Sequence, residues 1–259
     1  MKTKKQLDEI GLKPVKPVGR IETKNYTCFL YDIDDANSVR PKKQPTDKQL
    51  EALKKARIES KKRAWMRRYG WVEKYRIDAV KSAMELLKSN DWVILDTETT
   101  GLYDAEIIEI SVINSSKEPL LNTRIKPTIP ITPGAYQVHG IGEEDLINSP
   151  SFPDVYQNLK SAIENKLVLI YNSDFDAPLI SENCVKHGLP KIKFKSLCVM
   201  LLYAQWYGHW SDYWDGFECQ RLPGGDHSAL GDCLACLACL KEMSSDSDEI
   251  KYPDFEGEE

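Results

Sequence analysis

The sequence lacks the features of membrane, secreted and disulfide-rich proteins. No stretch of its 259 residues approaches the roughly 20 apolar residues that a membrane-spanning helix needs. Residues 1–5 are basic, but no apolar signal core follows them. The seven cysteines are odd in number and do not have the spacing of a disulfide framework. These absences predict a cytoplasmic protein with reduced thiols.

The small net charge conceals an uneven distribution along the chain. Residues 1–90 carry 23 basic and 12 acidic side chains, whereas the remainder carries 12 basic and 28 acidic ones. The acidic body would repel a polyanion by itself, but divalent cations in its site and a basic arm beside it would reverse that repulsion. Nucleic acid therefore stays an expected partner despite the low isoelectric point.

A basic extension is predicted over residues 1–76. Its first 45 residues are rich in proline and predict an extended arm, apart from a short strand at 28–31. Thr46 and Gln49 have the spacing of a capping box, so a helix is predicted over 47–68. Basic and aromatic side chains alternate there, either to bind a nucleic-acid backbone and stacked bases or to form a solvated face whose aromatics pack on the body. They are Lys54, Lys55, Arg57, Lys61, Lys62, Arg63, Arg67 and Arg68, with Trp65, Tyr69, Trp71 and Tyr75.

The body is predicted to span residues 77–243 and to alternate strands with helices. Residues 244–259 carry seven acids and one lysine, which predicts a disordered tail. The predicted strands lie at 93–98, 106–113, 120–126 and 167–171, the first three as an antiparallel meander. The predicted helices lie at 77–88, 152–165, 177–187, 196–208 and 227–243.

Two carboxylates leave the first buried strand together. Asp96 and Glu98 follow three apolar residues at positions i and i+2, so they share one face of the strand. Like charges buried side by side are costly unless a cation neutralises them. Oxygen ligands of this kind suit Mg²⁺ or Mn²⁺. The alternative is a pair of carboxylates on a hydrated strand end.

Further acidic groups and a histidine occur where other elements begin or end. Asp176 follows the end of the second buried strand, and His227 and Asp232 open the last helix. Positions five apart on a helix point about 140° apart, so His227 is expected in the preceding loop while Asp232 faces the other carboxylates. Four carboxylates and an imidazole are the inventory of a two-metal phosphodiester hydrolase, in which a base takes a proton from water.

Three motifs resemble those of the DEDDh class of 3′→5′ exonucleases, the DnaQ-like family that includes proofreading subunits of bacterial DNA polymerase III. They occupy residues 96–102, 172–176 and 227–232, with the segments 139–141 and 143–146 between them. The resemblance covers residues 77–243. It implies an α/β fold, namely a ribonuclease H-like mixed five-stranded sheet flanked by helices.

The resemblance also implies roles for individual residues. Asp96, Glu98, Asp176 and Asp232 would hold two divalent cations, Mg²⁺ or Mn²⁺, and His227 would be the general base. Thr99, Leu102, His139 and Phe175 match positions that line the pocket for the 3′-terminal nucleotide, although His139 fits a hydrogen-bonded loop histidine equally well. The implied reaction is hydrolysis from a 3′ end, and single-stranded nucleic acid is the expected substrate.

Several alternatives stay open from the sequence. The enzyme could instead be an RNA-trimming exoribonuclease of the same class, and a non-catalytic adaptor that binds nucleic acid through the basic arm is a rival of another kind. Residues 1–76 could also bind a protein partner. Cys233, Cys236 and Cys239 favour packing in the core over a metal cluster, because no matching ligands lie elsewhere. The aromatic stretch 206–217 fits a pocket wall or a lid.

Overall fold

A computed structural model describes residues 1–255 and divides into two compact units. One unit comprises Met1–Arg63 with Phe255, and the other comprises Ala64–Asp254. Within the described range, no helix combines the length and the apolar character that crossing a membrane requires.

The first unit contains more regular structure than its sequence predicts. Strands β1, β3 and β4 form a three-stranded antiparallel sheet, and β2 pairs with β5. The predicted strand at 28–31 is confirmed, but the extended arm around it is wrong. Pro14 and Pro41 end short strands, where proline disturbs a β-ladder least. The elements are β1 (Lys2–Thr3), α1 (Lys4–Glu9), β2 (Leu12–Pro14), β3 (Gly19–Glu22), β4 (Thr27–Tyr31) and β5 (Val39–Pro41).

A single long helix, α2 (Asp47–Lys88), replaces the two helices predicted over 47–68 and 77–88. It begins at the expected capping box, where the Gln49 N–H donates to Thr46 Oγ1 and the Thr46 N–H donates to Gln49 Oε1. The boundary between the two units falls after Arg63. Residue 76, where the basic extension was predicted to end, lies further along the same helix.

The main sheet has five strands in the order β10-β9-β6-β7-β8. Strands β6, β7 and β8 form the predicted antiparallel meander, and β9 and β10 join it in parallel, so the predicted mixed sheet is confirmed. The predicted helix over 196–208 is wrong at its start, because the edge strand β10 precedes a shorter helix. The strands are β6 (Trp92–Thr99), β7 (Ile107–Asn114), β8 (Pro119–Arg124), β9 (Leu167–Ile170) and β10 (Lys195–Cys198).

Helices cover both faces of this sheet. The helices after β8 are α3 (Pro133–His139), a 3-10 turn (Glu143–Leu146), α4 (Phe152–Ile163), α5 (Ser173–Lys186), α6 (Val199–Tyr207) and α7 (Ala229–Ser245). Val93 and Leu95 pack with α4 and α5, whereas Trp92 and Ile94 pack with α6 and α7. Because side chains alternate along a strand, Asp96 and Glu98 continue the series that faces α7, and Thr97 continues the series that faces α5.

The three cysteines of α7 lie in the core, as the packing interpretation predicted. Cys233, Cys236 and Cys239 are buried within the cluster that contains Ile94. The Cys233 thiol lies against the carbonyl oxygens of Ile94 and Ser111. Burial raises the pKa of all three thiols, so they stay protonated and apolar.

Trp71 and Tyr75 of α2, which belong to the second unit, pack on a hairpin of the same unit, and such packing is one of the two alternatives that the sequence left open. A short hairpin joins β11 (Trp210–Ser211) to β12 (Gly216–Phe217). The Trp71 ring lies 4.8 Å from that of Trp210, and the Tyr75 ring lies 5.3 Å from that of Phe217. The hairpin therefore forms one wall of an open cleft of about 710 Å³ that Trp65 and Tyr69 also line.

Part of the predicted disordered tail lies against α2. Helix α7 extends to Ser245, and the buried Arg76 guanidinium donates to the Asp246 carboxylate and to the carbonyl oxygens of Ser247 and Glu249. Burial opposes the charge of Asp246, but hydrogen bonds from Lys251 and Trp206 outweigh it and lower its pKa to about 2. Together with Glu73 of α2, the acidic segment thus neutralises a buried arginine, which composition alone does not reveal. Residues 256–259 of the predicted tail lie outside the described range.

Candidate active site

Asp96 and Glu98 lie at the end of β6, on the face that α7 covers. Glu98 is paired across the sheet with Glu109 of β7, and the register of the two strands shifts between Glu98 and Thr99. This β-bulge changes the direction in which the following side chains project. The two carboxylates thus share one side, as their spacing predicted.

Asp176 approaches the same corner from α5. The predicted helix from residue 177 begins instead at Ser173, so Asp176 lies within the first turn of α5. The Thr97 hydroxyl donates a hydrogen bond of 2.6 Å to Asp176 Oδ1. Thr97 lies between Asp96 and Glu98 in sequence, so this bond joins the strand that carries both carboxylates to the third one.

His227 and Asp232 reach the corner from the start of α7. His227 lies in the loop before the helix with a φ of 60°, and Ser228 is the N-cap. Asp232 Oδ1 accepts hydrogen bonds from the backbone N–H groups of Asp226 (2.9 Å) and His227 (3.3 Å). Ligand atoms of Glu98, His227 and Asp232 all lie within 4.8 Å of one another. The helix thus begins after His227, not at it, and the loop turns the imidazole toward the carboxylates.

Burial, together with repulsion between neighbouring carboxylates, raises pKa values in the site. Burial raises the pKa of Asp96 well above its usual range, and the neighbouring carboxylates of Asp176, Asp232 and Glu98 raise it further. Burial, with Asp232 and Glu109 nearby, raises the pKa of Glu98 to about 8, and burial raises that of Asp176 to about 6. Crowded carboxylate oxygens beside an imidazole are a donor set that a divalent cation would neutralise. These residues therefore fit such a cation.

The four residues predicted to line the nucleotide pocket are not equivalent in the structure. The Thr99 hydroxyl donates to the Gly101 carbonyl oxygen at 2.7 Å, so it closes the turn after β6. Leu102 is 75% exposed on that turn. Phe175 is half-buried and packs against the core between the sheet and α4. Only Leu102 among these three is thus largely free to contact a ligand.

Both ring nitrogens of His139 are occupied by the backbone. Nδ1 accepts from the Ile141 N–H at 3.0 Å, so Nε2 carries the ring proton toward the Thr99 carbonyl oxygen 3.1 Å away. Burial lowers the pKa of His139. His139 is thus hydrogen-bonded as the alternative predicted, but it is the last residue of α3 and not part of a loop.

Two acidic residues near the site were missed by the sequence analysis. Glu109 contributes to the raised pKa of both Asp96 and Glu98, and Asp226 contributes to that of Glu98. Glu109 occurs within an otherwise apolar strand, and its pairing with Glu98 depends on a register that the sequence alone does not give. The one feature of the sequence that could have identified Glu109 is its charge within a mostly apolar strand.

Comparison with known proteins decides the class of this site. The family described as exonuclease matches residues 93–240, which contain all five of the clustered residues. The chain belongs to the exonuclease family. This exonuclease is homologous to 3′→5′ exonucleases of the DnaQ type, so the predicted recognition and enzyme class are confirmed.

Individual relatives cover different parts of this exonuclease. The uncharacterized exonuclease CP81 of Escherichia phage 186 is 34% identical over 172 residues, which are 60% of this chain and 89% of the phage protein. The DNA polymerase III subunit epsilon of Haemophilus influenzae is 32% identical over 131 residues, 44% of this chain and 49% of that subunit. The chain thus spans about half the length of that epsilon subunit.

A solved structure supports the fold of this exonuclease. E. coli exonuclease I in complex with a dT13 oligonucleotide superposes with a TM-score of 0.51 at 17% identity, over 61% of this chain and 41% of exonuclease I. The predicted ribonuclease H-like fold is confirmed.

Proposed function

We propose that this exonuclease removes nucleotides from the 3′ end of single-stranded DNA by a two-metal mechanism with His227 as the general base. The observation that carries the proposal is the convergence of Glu98, His227 and Asp232 within 4.8 Å, beside Asp96 and Asp176. A base beside a cluster of carboxylates is what phosphodiester hydrolysis needs.

In this proposal Asp96, Glu98, Asp176 and Asp232 would hold two divalent cations, Mg²⁺ or Mn²⁺. Such cations, when bound, would supply stabilisation of the negative charge that develops on the phosphodiester. His227 takes the proton from the attacking water, and its exposed position on the loop leaves the ring accessible to that water. Thr97 keeps Asp176 oriented, and Asp232 also holds the His227 loop through two backbone N–H groups.

DNA is proposed because relatives are DNA polymerase III epsilon subunits, and exonuclease I, which shares the fold, is described with dT13. Leu102 on the turn after β6 would contact the terminal nucleotide. Thr99 and His139 would hold that turn in place, and Phe175 would support the pocket from the core side. The basic residues of 1–76 would contact the substrate further from its end, or a protein partner. A cytoplasmic location belongs to the same proposal.

The test is a time course with single-stranded DNA and RNA of the same sequence, each labelled at either the 5′ or the 3′ end. We expect 5′-labelled DNA to give a ladder of shortening products, and 3′-labelled DNA to release labelled mononucleotide at once. The reverse pattern would mean cleavage from the 5′ end. Faster shortening of RNA than of DNA would replace DNA with RNA in the proposal.

The pKa shifts predict an effect of pH on stability in the absence of metal. Glu98 and Asp176 bind a proton more tightly in the folded protein than in the unfolded chain. Each therefore favours folding at low pH, and this contribution is lost as the pH rises from about 4 to about 8. With EDTA, we expect the melting temperature to fall across this range.

Mg²⁺ should restore several degrees at pH 8 and almost nothing at pH 5, where protons compete for the same oxygens. Differential scanning fluorimetry at matched ionic strength measures both effects. An equal Mg²⁺ effect at the two pH values would contradict a cation bound by these carboxylates.

A further inference from the structure

Glu109 of β7 is, we propose, a positioning residue that holds the start of α7 and thereby the general base. This inference deepens the proposed function and rests on it, because it assigns the role of Glu109 to an action through His227. Glu109 lies outside the three motifs. The register of the sheet brings it beside Glu98.

Glu109 of β7 joins three other elements, two through its carboxylate and one through the strand pairing. Oε2 accepts the Ala229 N–H at 2.9 Å, and Oε1 lies 3.5 Å from Nε of Arg124 on β8. Glu109 is also paired across the sheet with Glu98 on β6. The bond to Ala229 therefore fixes the start of α7 to the pair of strands that carries Glu98.

The Ala229 N–H needs such an acceptor. Ala229 is the first residue of α7, and the first N–H groups of a helix have no partner within the helix. A carboxylate at a helix N-terminus is also favoured by the helix dipole. Because Ala229 is buried, water is a poor substitute for Glu109.

His227 lies two residues before Ala229 and adopts the left-handed φ of 60°, which most side chains avoid. Bonds on both sides hold this conformation. Asp232 binds the Asp226 and His227 N–H groups from within the helix, and Glu109 binds the Ala229 N–H from the sheet. Without Glu109, the hydrogen bond between the start of α7 and β7 is lost.

Proton transfer depends on geometry, and a misplacement of about 1 Å can cost about 10²-fold in rate. Loss of the Glu109 bond should therefore lower kcat by 10- to 100-fold. KM should stay within about twofold, because the turn after β6, which would contact the substrate, keeps its own hydrogen bond.

The experiment compares Glu109→Ala and Glu109→Gln, each with His227 intact and with His227→Ala. A third variant, Ala229→Pro, deletes the same hydrogen bond from the other side, since proline is tolerated at the first position of a helix and lacks the N–H. Arg124→Gln is the matched control, because it removes the other partner of Glu109 and leaves the Ala229 bond in place. Melting temperatures confirm that each variant is folded.

We expect Glu109→Ala and Ala229→Pro to lower kcat by 10- to 100-fold. The kcat of Glu109→Gln and of Arg124→Gln should stay within about threefold of the wild-type value. The glutamine amide oxygen can accept the same hydrogen bond. With His227→Ala already present, Glu109→Ala should cost no more than about twofold further, because the group through which it acts is gone.

Equal losses from Glu109→Ala in both backgrounds would overturn the inference, as would a Glu109→Gln variant as slow as Glu109→Ala. The first result would mean that Glu109 acts independently of His227, and the second that it acts through its charge. If Glu109→Ala does not fold, Ala229→Pro and Glu109→Gln test the same inference: a lowered kcat is expected for Ala229→Pro and a nearly wild-type kcat for Glu109→Gln. A His227→Ala enzyme with full activity would refute the proposed general base itself, which is a separate outcome.

Discussion

Replacing Asp96 by Asn should abolish cleavage, lowering kcat by at least about 10³-fold, and Glu98→Gln should do the same. Each change keeps the shape of the side chain and removes one negative oxygen from the cluster that would hold the cations. Loss of cation-assisted charge stabilisation costs several kcal/mol of barrier. Shortening of a 5′-labelled oligonucleotide measures the effect, and EDTA should reduce the wild-type enzyme to the same level.

The same variants should be more stable than the wild type in the absence of metal. Burial and the neighbouring carboxylates raise the pKa of Asp96, so its ionised form opposes folding above its ordinary pKa. A neutral amide removes that cost, and we expect a melting temperature several degrees higher at pH 8. Gain of stability with loss of activity distinguishes a functional carboxylate from a structural one.

Asp91→Asn is the matched control, because Asp91 is exposed just before the same strand. Its cleavage rate should equal that of the wild type. An Asp96→Asn enzyme that still cleaves at the wild-type rate, or robust cleavage in EDTA, would refute the proposed metal-dependent mechanism.

Replacing His227 by Ala should lower kcat by about 10²–10⁴-fold, which is the usual contribution of a positioned base. Binding of a single-stranded oligonucleotide should be nearly unchanged, because His227 is proposed to act on water and not on the substrate. Single-turnover rates and fluorescence anisotropy separate the two effects.

His209→Ala is the control, since His209 is an exposed histidine beside the Trp210 hairpin. It should leave the rate unaltered. Equal rates for the wild type and His227→Ala from pH 6 to pH 9 would remove His227 from the mechanism.

The sequence predicted those parts of the structure that depend on local patterns. The D-x-E spacing placed Asp96 and Glu98 on one face because strands have a period of two. The distance between His227 and Asp232 correctly put the histidine in a loop, because an α-helix would have separated them.

Features that depend on tertiary contacts were not predictable in this way. Strand β10 has four residues and pairs only at the edge of the sheet, so no periodic pattern distinguishes it from the helix that follows. Helix α2 continues through residues 69–76, where Trp71 and Tyr75 pack on the hairpin. The acidic segment after α7 is ordered by Arg76, a residue about 170 positions away.

The bulge between Glu98 and Thr99 has a consequence for how this enzyme could diversify. The residues before it are fixed by pairing with β7, and Thr99 and Thr100 after it still bond to Ile107 and Glu106, whereas the exposed Leu102 and Tyr103 lie on the turn that follows. Mutations of Leu102 or Tyr103 can therefore reshape what the turn touches without displacing the acidic pair, whereas a single inserted or deleted residue before the bulge would move that pair to the other face of the sheet. The paired strand residues are thus constrained in evolution, whereas the exposed residues of the turn can vary.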